Sequence, residues 1–168
     1  QVAFFVLSPL LLSKISLLIL DDESLVLSSL KRLFRSPKYD VHTAESPNEA
    51  LEILQKNPIG VIVCDQRLKD SQGTDFLATI KKKWPDTSRI LLTGYFSSQI
   101  AQSSLLKGEV YRFITKPWND EDLKSTIRDA MNRYDLVQEN QKLLEITRRQ
   151  NNTLSETNER LKKLYEAQ

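Results

Sequence analysis

Short runs of aliphatic and β-branched residues alternate with amphipathic stretches of helical period from Ile15 to Pro117, and this alternation limits the folds open to the chain. Most of the runs, such as Ile15–Leu20 and Val61–Asp65, are apolar along most of their length rather than at every second position, which is typical of strands buried on both faces. Such strands occur in parallel sheets whose connecting helices cover the two faces. The sequence therefore predicts an α/β fold with a parallel sheet between helical layers.

Five strands and five helices are expected in this part of the chain. The predicted strands are Ile15–Leu20, Asp40–Ala44, Val61–Asp65, Arg89–Thr93 and Val110–Thr115. The predicted helices lie near Ser24–Arg35, Pro47–Lys56, Thr74–Lys83 and Ser97–Leu106, and a fifth begins after Trp118. A capping serine, a first-turn proline and a capping-box glutamate follow one another from Ser46 to Glu49, which supports the start of the second helix.

The segment after Pro117 contains no further glycine or proline up to Gln168, which permits one helix of roughly 70 Å. From about residue 135 its apolar positions follow heptad spacing, which is typical of a coiled coil. Two registers remain open. They share Asn140, Thr147, Leu154 and Leu161, and add either Val137, Leu144, Asn151, Asn158 and Tyr165 or Leu136, Leu143 and Leu164.

Buried asparagines at positions 151 and 158 would lower the stability of such a coil while favouring a parallel two-stranded dimer. Residues 135–168 carry six acids and six bases, so the segment lacks the excess positive charge of a nucleic-acid arm. The alternative is a solvated helical tail that frays. We therefore divide the chain into an apolar extension (1–14), a globular domain (15–134) and a coiled-coil dimerisation or linker helix (135–168).

The first twenty residues are largely apolar and approach the length of a membrane span. They form either a signal anchor or an apolar extension followed by the strand Ile15–Leu20. The second interpretation is favoured because this strand runs directly into Asp21 and Asp22, which the site below requires. With one cysteine and a net charge of +2, the chain is expected in the cytoplasm, with neither a membrane nor a nucleic acid as partner.

Polar residues close four of the predicted strands: Asp21 and Asp22 after the first, Asp65 at the end of the third, Thr93 at the end of the fourth and Lys116 after the fifth. Because ligands of open parallel sheets bind outside the carboxyl ends of the strands, we expect these side chains to form one site. Three neighbouring carboxylates repel one another unless a cation neutralises them. An all-oxygen set of this kind suits Mg²⁺.

A carboxylate can attack phosphorus to form an acyl phosphate, and Asp65 is the candidate nucleophile. Lys116 would offset charge on the transferring group, and the Thr93 hydroxyl would donate a hydrogen bond to it. Each residue alone has an ordinary interpretation as a cap, turn or surface residue, but their joint position at the strand ends favours a site. Cys64 is expected to be a core residue beside the site, and His42 an exposed strand residue.

The residues at the strand ends agree in order and spacing with a known pattern. They are Asp21-Asp22, Asp65 with Gly73, Thr93-Gly94 and Lys116-Pro117. Over about residues 15–134 this pattern resembles the receiver domains of bacterial response regulators. The resemblance implies a five-stranded parallel sheet in the order 2-1-3-4-5, with helices on both faces and the last helix extended into the coiled coil.

By the same resemblance, Asp65 is the phosphoacceptor for a sensor histidine kinase or a phosphotransfer protein. Mg²⁺ would be bound by Asp22, Asp65 and the backbone carbonyl of Arg67, with Asp21 acting through water. The Lys116–Pro117 peptide bond would be cis. The chain departs from the family at position 69, where Lys replaces the usual proline of the loop after the phosphoacceptor.

Switching in this family pairs the threonine with an aromatic residue three positions before the lysine, which here is Phe113. Phosphorylation would draw Thr93 inward and let Phe113 follow, reshaping the surface of the fourth helix, fifth strand and fifth helix. That surface and residues 135–168 are the expected homodimer contacts, and an output domain is expected beyond Gln168. Simple core packing is the alternative role of Phe113.

The favoured hypothesis is a phosphorylation-dependent signalling switch that catalyses no reaction other than its own phosphotransfer and dephosphorylation. Phosphatases of the haloacid-dehalogenase type also use an aspartyl nucleophile, but they need a second acid two residues later, where this chain has Arg67. A second alternative is a receiver-like scaffold that dimerises without being phosphorylated.

Overall fold

The computed structural model describes residues 14–94 and 98–168. The apolar extension before residue 14 and Ser97, the predicted first residue of the fourth helix, lie outside this part. The elements, in chain order, are β1 (Ile15–Leu20), α1 (Ser24–Leu33), β2 (Tyr39–Ala44), α2 (Pro47–Lys56), β3 (Val61–Asp65), β4 (Arg67–Leu68), β5 (Ser71–Gln72), α3 (Gly73–Lys83), β6 (Ser88–Thr93), α4 (Ser98–Leu106), β7 (Arg112–Thr115) and α5 (Asp120–Glu166).

Five of these strands form a parallel sheet in the order β2-β1-β3-β6-β7. The short strands β4 and β5 pair with each other as an antiparallel hairpin. When the strands of the large sheet are numbered alone, their order is therefore 2-1-3-4-5, as predicted. The chain reverses its direction of winding between β1 and β3, and the carboxyl ends of these neighbouring strands border the crevice where ligands of such sheets bind.

Side chains on the sheet alternate between two apolar cores, because successive residues of a strand point to opposite faces. Leu18, Ile62 and Leu91 pack against α2, α3 and α4, whereas Leu17, Val61 and Ile90 pack against α1 and α5. The four residues 17–20 are 0% exposed. The central strands β3 and β6 are likewise buried along their whole length, which confirms the prediction of a parallel sheet covered on both faces.

Several element limits differ from the sequence prediction. The helix α1 ends at Leu33 instead of Arg35, shortly before the Ser36-Pro37 step, and proline restricts the residue before it to non-helical conformations. The last strand begins at Arg112 instead of Val110, because pairing with β6 starts with Ile90 and Arg112. The hairpin of β4 and β5 was not predicted.

Arg89, at the start of β6, is a buried cation with 7% of its surface exposed. Burial lowers the pKa of its guanidinium, and the charge of Arg133 lowers it further. The guanidinium donates hydrogen bonds to the backbone carbonyls of Pro85, Thr87, Gly108 and Glu109. It thereby joins the loop before β6 to the loop between α4 and β7.

The helix α5 is 47 residues long. At its start the side chain of Asn119 accepts hydrogen bonds from the backbone N–H groups of Glu121 and Asp122, which satisfies amides that the helix itself leaves unpaired. Backbone contacts divide the chain after Tyr134 into two compact units.

Within 135–168, the leucine side chains at the heptad positions are exposed, including Leu154 at 60% and Leu161 at 47%. No helix in residues 14–94 or 98–168 combines the length and apolar character needed to cross a membrane.

Candidate functional site

Three carboxylates meet at the carboxyl ends of β1 and β3. Asp21 and Asp22 follow β1 and Asp65 ends β3, and one carboxylate oxygen of each lies within 4.8 Å of the others. The two strands are hydrogen-bonded neighbours, with Leu20 opposite Cys64, so their ends lie level. Asp21 is 0% exposed and Asp65 5%, whereas Asp22 is exposed. The structure thus brings together the three acids that the sequence singled out.

Lys116 lies between two of these acids. Its Nζ atom is 3.0 Å from Asp65 Oδ1 and 3.4 Å from Asp21 Oδ2. Its backbone N–H donates to the carbonyl of Thr93 at 2.8 Å, which fixes the end of β7 beside the end of β6. The Lys116–Pro117 peptide bond is cis, as the resemblance implied.

The charges of this group act on one another. Burial raises the pKa of Asp21, opposed by the N–H of Glu23 and the charge of Lys116, while the charge of Asp65 adds to the increase. Burial alone would lower the pKa of Lys116, but its hydrogen bonds and charge interactions with Asp65 and Asp21 outweigh burial and raise that pKa. The ammonium group therefore stays protonated throughout the physiological range and serves as a fixed positive charge.

Thr93 and Phe113 lie on the same face of the sheet. Leu91 pairs with Phe113 across β6 and β7, and Thr93 is two residues further along β6. Thr93 is 0% exposed, and its hydroxyl donates to the carbonyl of Gly94 at 3.0 Å. Phe113 is partly buried and packs against the apolar core between the sheet and the helices α2, α3 and α4. The two residues of the predicted switch pair therefore lie on the sheet face that α2, α3 and α4 cover.

The segment after Asp65 contains two residues that sequence reasoning missed, Gln66 and Thr74. The side chain of Arg67 is exposed and its backbone belongs to the short strand β4. Gln66 and Thr74 are buried, at 4% and 5% exposure, and hydrogen-bond to each other across the loop. Gly73 approaches the backbone of Asp65 so closely that a Cβ atom would overlap the Asp65 carbonyl oxygen. The available sequence signal for Gln66 was an amide side chain directly after the strand that ends in Asp65.

The donor set fits a hard divalent cation such as Mg²⁺, because all candidate ligands are oxygen atoms. The one neighbouring sulfur belongs to Cys64, which is fully buried. Burial raises the pKa of this thiol, as do the charges of Asp65 and Asp21, so it remains neutral and is a poor ligand. His42 lies on β2 with its Nε2 atom 3.4 Å from Asp40 and is partly buried instead of exposed.

The match to a family model is specific. The model described as "Response regulator receiver domain" matches residues 17–128, which is more than half of the chain. The chain belongs to the response regulator receiver domain family. Receiver domains are signalling domains of two-component systems, are partners of sensor histidine kinases and bind Mg²⁺ at an acidic pocket. The predicted family and fold are therefore confirmed.

Curated relatives of this receiver domain are regulatory proteins of greater length. It is 33% identical over 116 residues to the hydrogenase transcriptional regulatory protein HoxA of Cupriavidus necator, covering 69% of this chain and 24% of the relative. It is 33% identical over 115 residues to the transcriptional regulatory protein GlrR of Escherichia coli, covering 68% and 26% respectively. The chain thus spans about a quarter of the length of these relatives.

Solved structures agree with the fold. A response regulator receiver domain protein from Clostridium thermocellum has a TM-score of 0.68 at 33% identity, covering 73% of this chain and 98% of the other. The signal receiver domain of an HD domain-containing protein from Pseudomonas fluorescens has a TM-score of 0.70 at 28% identity, covering 75% and 93%.

Proposed function

We propose that this receiver domain is a phosphorylation-dependent switch in which Asp65 accepts a phosphoryl group from a sensor histidine kinase or a phosphotransfer protein. One observation carries the proposal. The ammonium of Lys116 lies 3.0 Å from Asp65 and 3.4 Å from Asp21, beside three carboxylates whose oxygens lie within 4.8 Å of one another. A candidate nucleophile, a fixed cation and a set of oxygens suited to a metal ion therefore lie at one edge of the sheet.

In the proposed step a carboxylate oxygen of Asp65 attacks phosphorus, the P–N bond of the phosphohistidine breaks, and the imidazole takes the bond's electron pair. Lys116 balances charge on the phosphoryl oxygens, and the Thr93 hydroxyl turns from the Gly94 carbonyl to donate to one of them. Asp22, Asp65 and the Arg67 carbonyl would hold Mg²⁺, with Asp21 acting through water. When bound, Mg²⁺ neutralises negative charge on the carboxylates and the phosphoryl group.

Thr93 and Phe113 would pass the change to the surface formed by α4, β7 and α5. Both side chains lie on the sheet face that α4 covers, and Thr93 is fully buried next to the strand that ends in Asp65. Inward movement of the hydroxyl would leave space that Phe113 can fill, since packed interiors shift between discrete arrangements.

Residues 135–168 would carry the signal as a parallel homodimer towards an output domain beyond Gln168. Support comes from the exposed leucines at heptad positions, because a helix with an unpaired apolar stripe gains stability when a second copy covers it. The surface of α4, β7 and α5 is a second candidate dimer contact. A cytoplasmic location follows from this role, since the proposed kinase partner phosphorylates its regulator there.

Phosphorylation is tested by incubating the full chain with Mg²⁺ and a small phosphodonor, followed by intact mass measurement. The wild type should gain one phosphoryl group, Asp65→Asn should gain none, and Asp40→Asn, which makes the same change at the distant start of β2, should behave as the wild type. No gain in the wild type, together with a stable dimer, would support the alternative of an unphosphorylated scaffold.

Dimerisation is tested by light scattering with and without the phosphodonor. Leu154 belongs to both candidate registers, so Leu154→Asp should yield monomers. Ser155→Asp adds the same charge one residue away, off both seams, and should leave the dimer intact. A monomeric wild type in both conditions would exclude the proposed role of residues 135–168.

A further inference from the structure

Gln66 directly follows the phosphoacceptor and is a buried amide with 4% of its surface exposed. Its backbone N–H donates to the carbonyl of Leu92 at 2.8 Å, and its own carbonyl accepts from the N–H of Gly73 at 2.9 Å. Its side chain makes two more bonds to one residue: Oε1 accepts from the N–H of Thr74 at 3.1 Å, and Nε2 donates to the Thr74 hydroxyl at 3.4 Å. Both ends of the amide are therefore satisfied.

These bonds fix the start of α3. The residue before that helix, Gln72, makes no side-chain capping bond. The N–H of Thr74 is one of the first helical amides, which no intrahelical carbonyl can satisfy. The Oε1 atom of Gln66 serves as its cap from the other side of the loop, in the way that a local Ser or Asp does elsewhere. Because a backbone N–H can only donate, this bond also determines which end of the amide faces the hydroxyl.

The loop enclosed by these bonds contains the Arg67 carbonyl. Within it, Arg67 pairs with Gln72 and Leu68 with Ser71 in the hairpin of β4 and β5. The hairpin has two residue pairs, and an isolated ladder of that length has little stability of its own. Its position is therefore set by Leu68, which packs in the core, and by the segments that flank the hairpin. Gln66 joins these segments to the sheet: its N–H binds β6, and its carbonyl and side chain bind α3.

We propose that Gln66 is a positioning residue for Mg²⁺. By clamping the loop between Asp65 and Thr74, it holds the Arg67 carbonyl and the Asp65 carboxylate at the spacing that the cation requires. This inference rests on the proposed function, since it concerns the same metal site. Residues that orient metal ligands without touching the metal commonly change its affinity by about 10–100-fold when they are replaced.

The test uses unphosphorylated variants of the 168-residue chain. Their Mg²⁺ dissociation constants are compared by calorimetry, with urea unfolding as a measure of folding. Gln66→Leu keeps the approximate size of the side chain and removes both bonds, and its Kd should rise about tenfold. Gln72→Leu makes the same change at an exposed position of the same loop and should leave Kd unchanged. At saturating Mg²⁺, the phosphorylation rate of Gln66→Leu should return to near the wild-type value.

Two substitutions of Thr74 provide a test that does not depend on the folding of Gln66→Leu. Thr74→Val removes the hydroxyl partner of Gln66 but keeps the backbone bond, so its Kd should rise by a smaller factor. Thr74→Ser keeps both bonds and should have the wild-type Kd. If Gln66→Leu does not fold, the comparison of Thr74→Val with Thr74→Ser decides the question.

A folded Gln66→Leu with a Kd within twofold of the wild type would overturn the positioning role while leaving the proposed function intact. If the wild type neither binds Mg²⁺ nor gains a phosphoryl group, the proposed function itself is wrong, and the role of Gln66 falls with it.

Discussion

Replacing Gly73 by alanine tests how closely α3 must approach the phosphoacceptor strand. The added Cβ atom would overlap the carbonyl oxygen of Asp65 and would lie 2.9 Å from its carbonyl carbon and 3.1 Å from the Cys64 sulfur. Since β3 is paired on both sides, by β1 and β6, its backbone cannot yield, and α3 must move instead.

Forcing extra volume into a packed site costs about 1–3 kcal/mol. Displacement of α3 also breaks the 2.9 Å bond from the N–H of Gly73 to the carbonyl of Gln66, which is worth about 1 kcal/mol. We therefore expect Gly73→Ala to lower the free energy of unfolding by about 3 kcal/mol, or roughly 100-fold in the folding equilibrium constant.

Urea unfolding followed by tryptophan fluorescence measures this loss, because the two tryptophans, Trp84 and Trp118, both lie within residues 15–134. Gly94→Ala is the control, since no atom of residues 14–94 or 98–168 lies within 4 Å of a Cβ atom at Gly94. That variant should differ from the wild type by less than about 0.5 kcal/mol. Equal unfolding free energies for Gly73→Ala and Gly94→Ala would refute the claim that the close approach to Asp65 requires glycine.

Because burial raises the pKa of Asp21 above 3.8, the folded state binds this proton more tightly than the unfolded state, and stability falls as the pH rises past that value. In EDTA, Asp21→Asn, which is neutral at every pH, should therefore raise the midpoint temperature of thermal unfolding at pH 7. At pH 3, where Asp21 is largely protonated, the substitution should have little effect. A lower midpoint temperature for the variant at pH 7 would contradict this. Asn151 and Asn158 lie on the seam of the first coiled-coil register only, so in that register the double variant Asn151→Leu with Asn158→Leu should raise the melting temperature of the helical circular dichroism signal. Asn152→Leu lies off both seams and should not raise it. No increase for the double variant would favour the second register. The Ser46 hydroxyl accepts from the N–H of Glu49 at 3.3 Å, so Ser46→Ala should cost about 1 kcal/mol in urea unfolding and Ser46→Asp much less; equal losses would argue against the capping role.

The fold was predictable because its strands are buried on both faces. Leu17 to Leu20 are apolar without a break, and such a run has few arrangements other than a central parallel strand. Once the strands are placed, the sheet edge follows, since parallel strands bring their carboxyl ends together. Asp21, Asp65 and Lys116 could therefore be assigned to one site before any distance was known.

The loop after Asp65 could not be predicted in the same way. The hairpin strands Arg67–Leu68 and Ser71–Gln72 are two residues each, too short to produce a period of two in the sequence. The contact between Gln66 and Thr74 spans eight residues and depends on how the loop closes. The limits of α1 and β7 were missed by two residues, because helix and strand ends are set by local capping and pairing.

The Arg89 guanidinium anchors the carboxyl end of α4. Its bonds to the carbonyls of Gly108 and Glu109 attach the loop that follows this helix to the start of β6, and the Lys81 ammonium holds the Lys107 carbonyl at 2.9 Å. The inward shift proposed for Thr93 would act at the opposite end of the helix. Any displacement of α4 would then be a pivot about its anchored end, largest near the phosphoacceptor and smallest at Gly108.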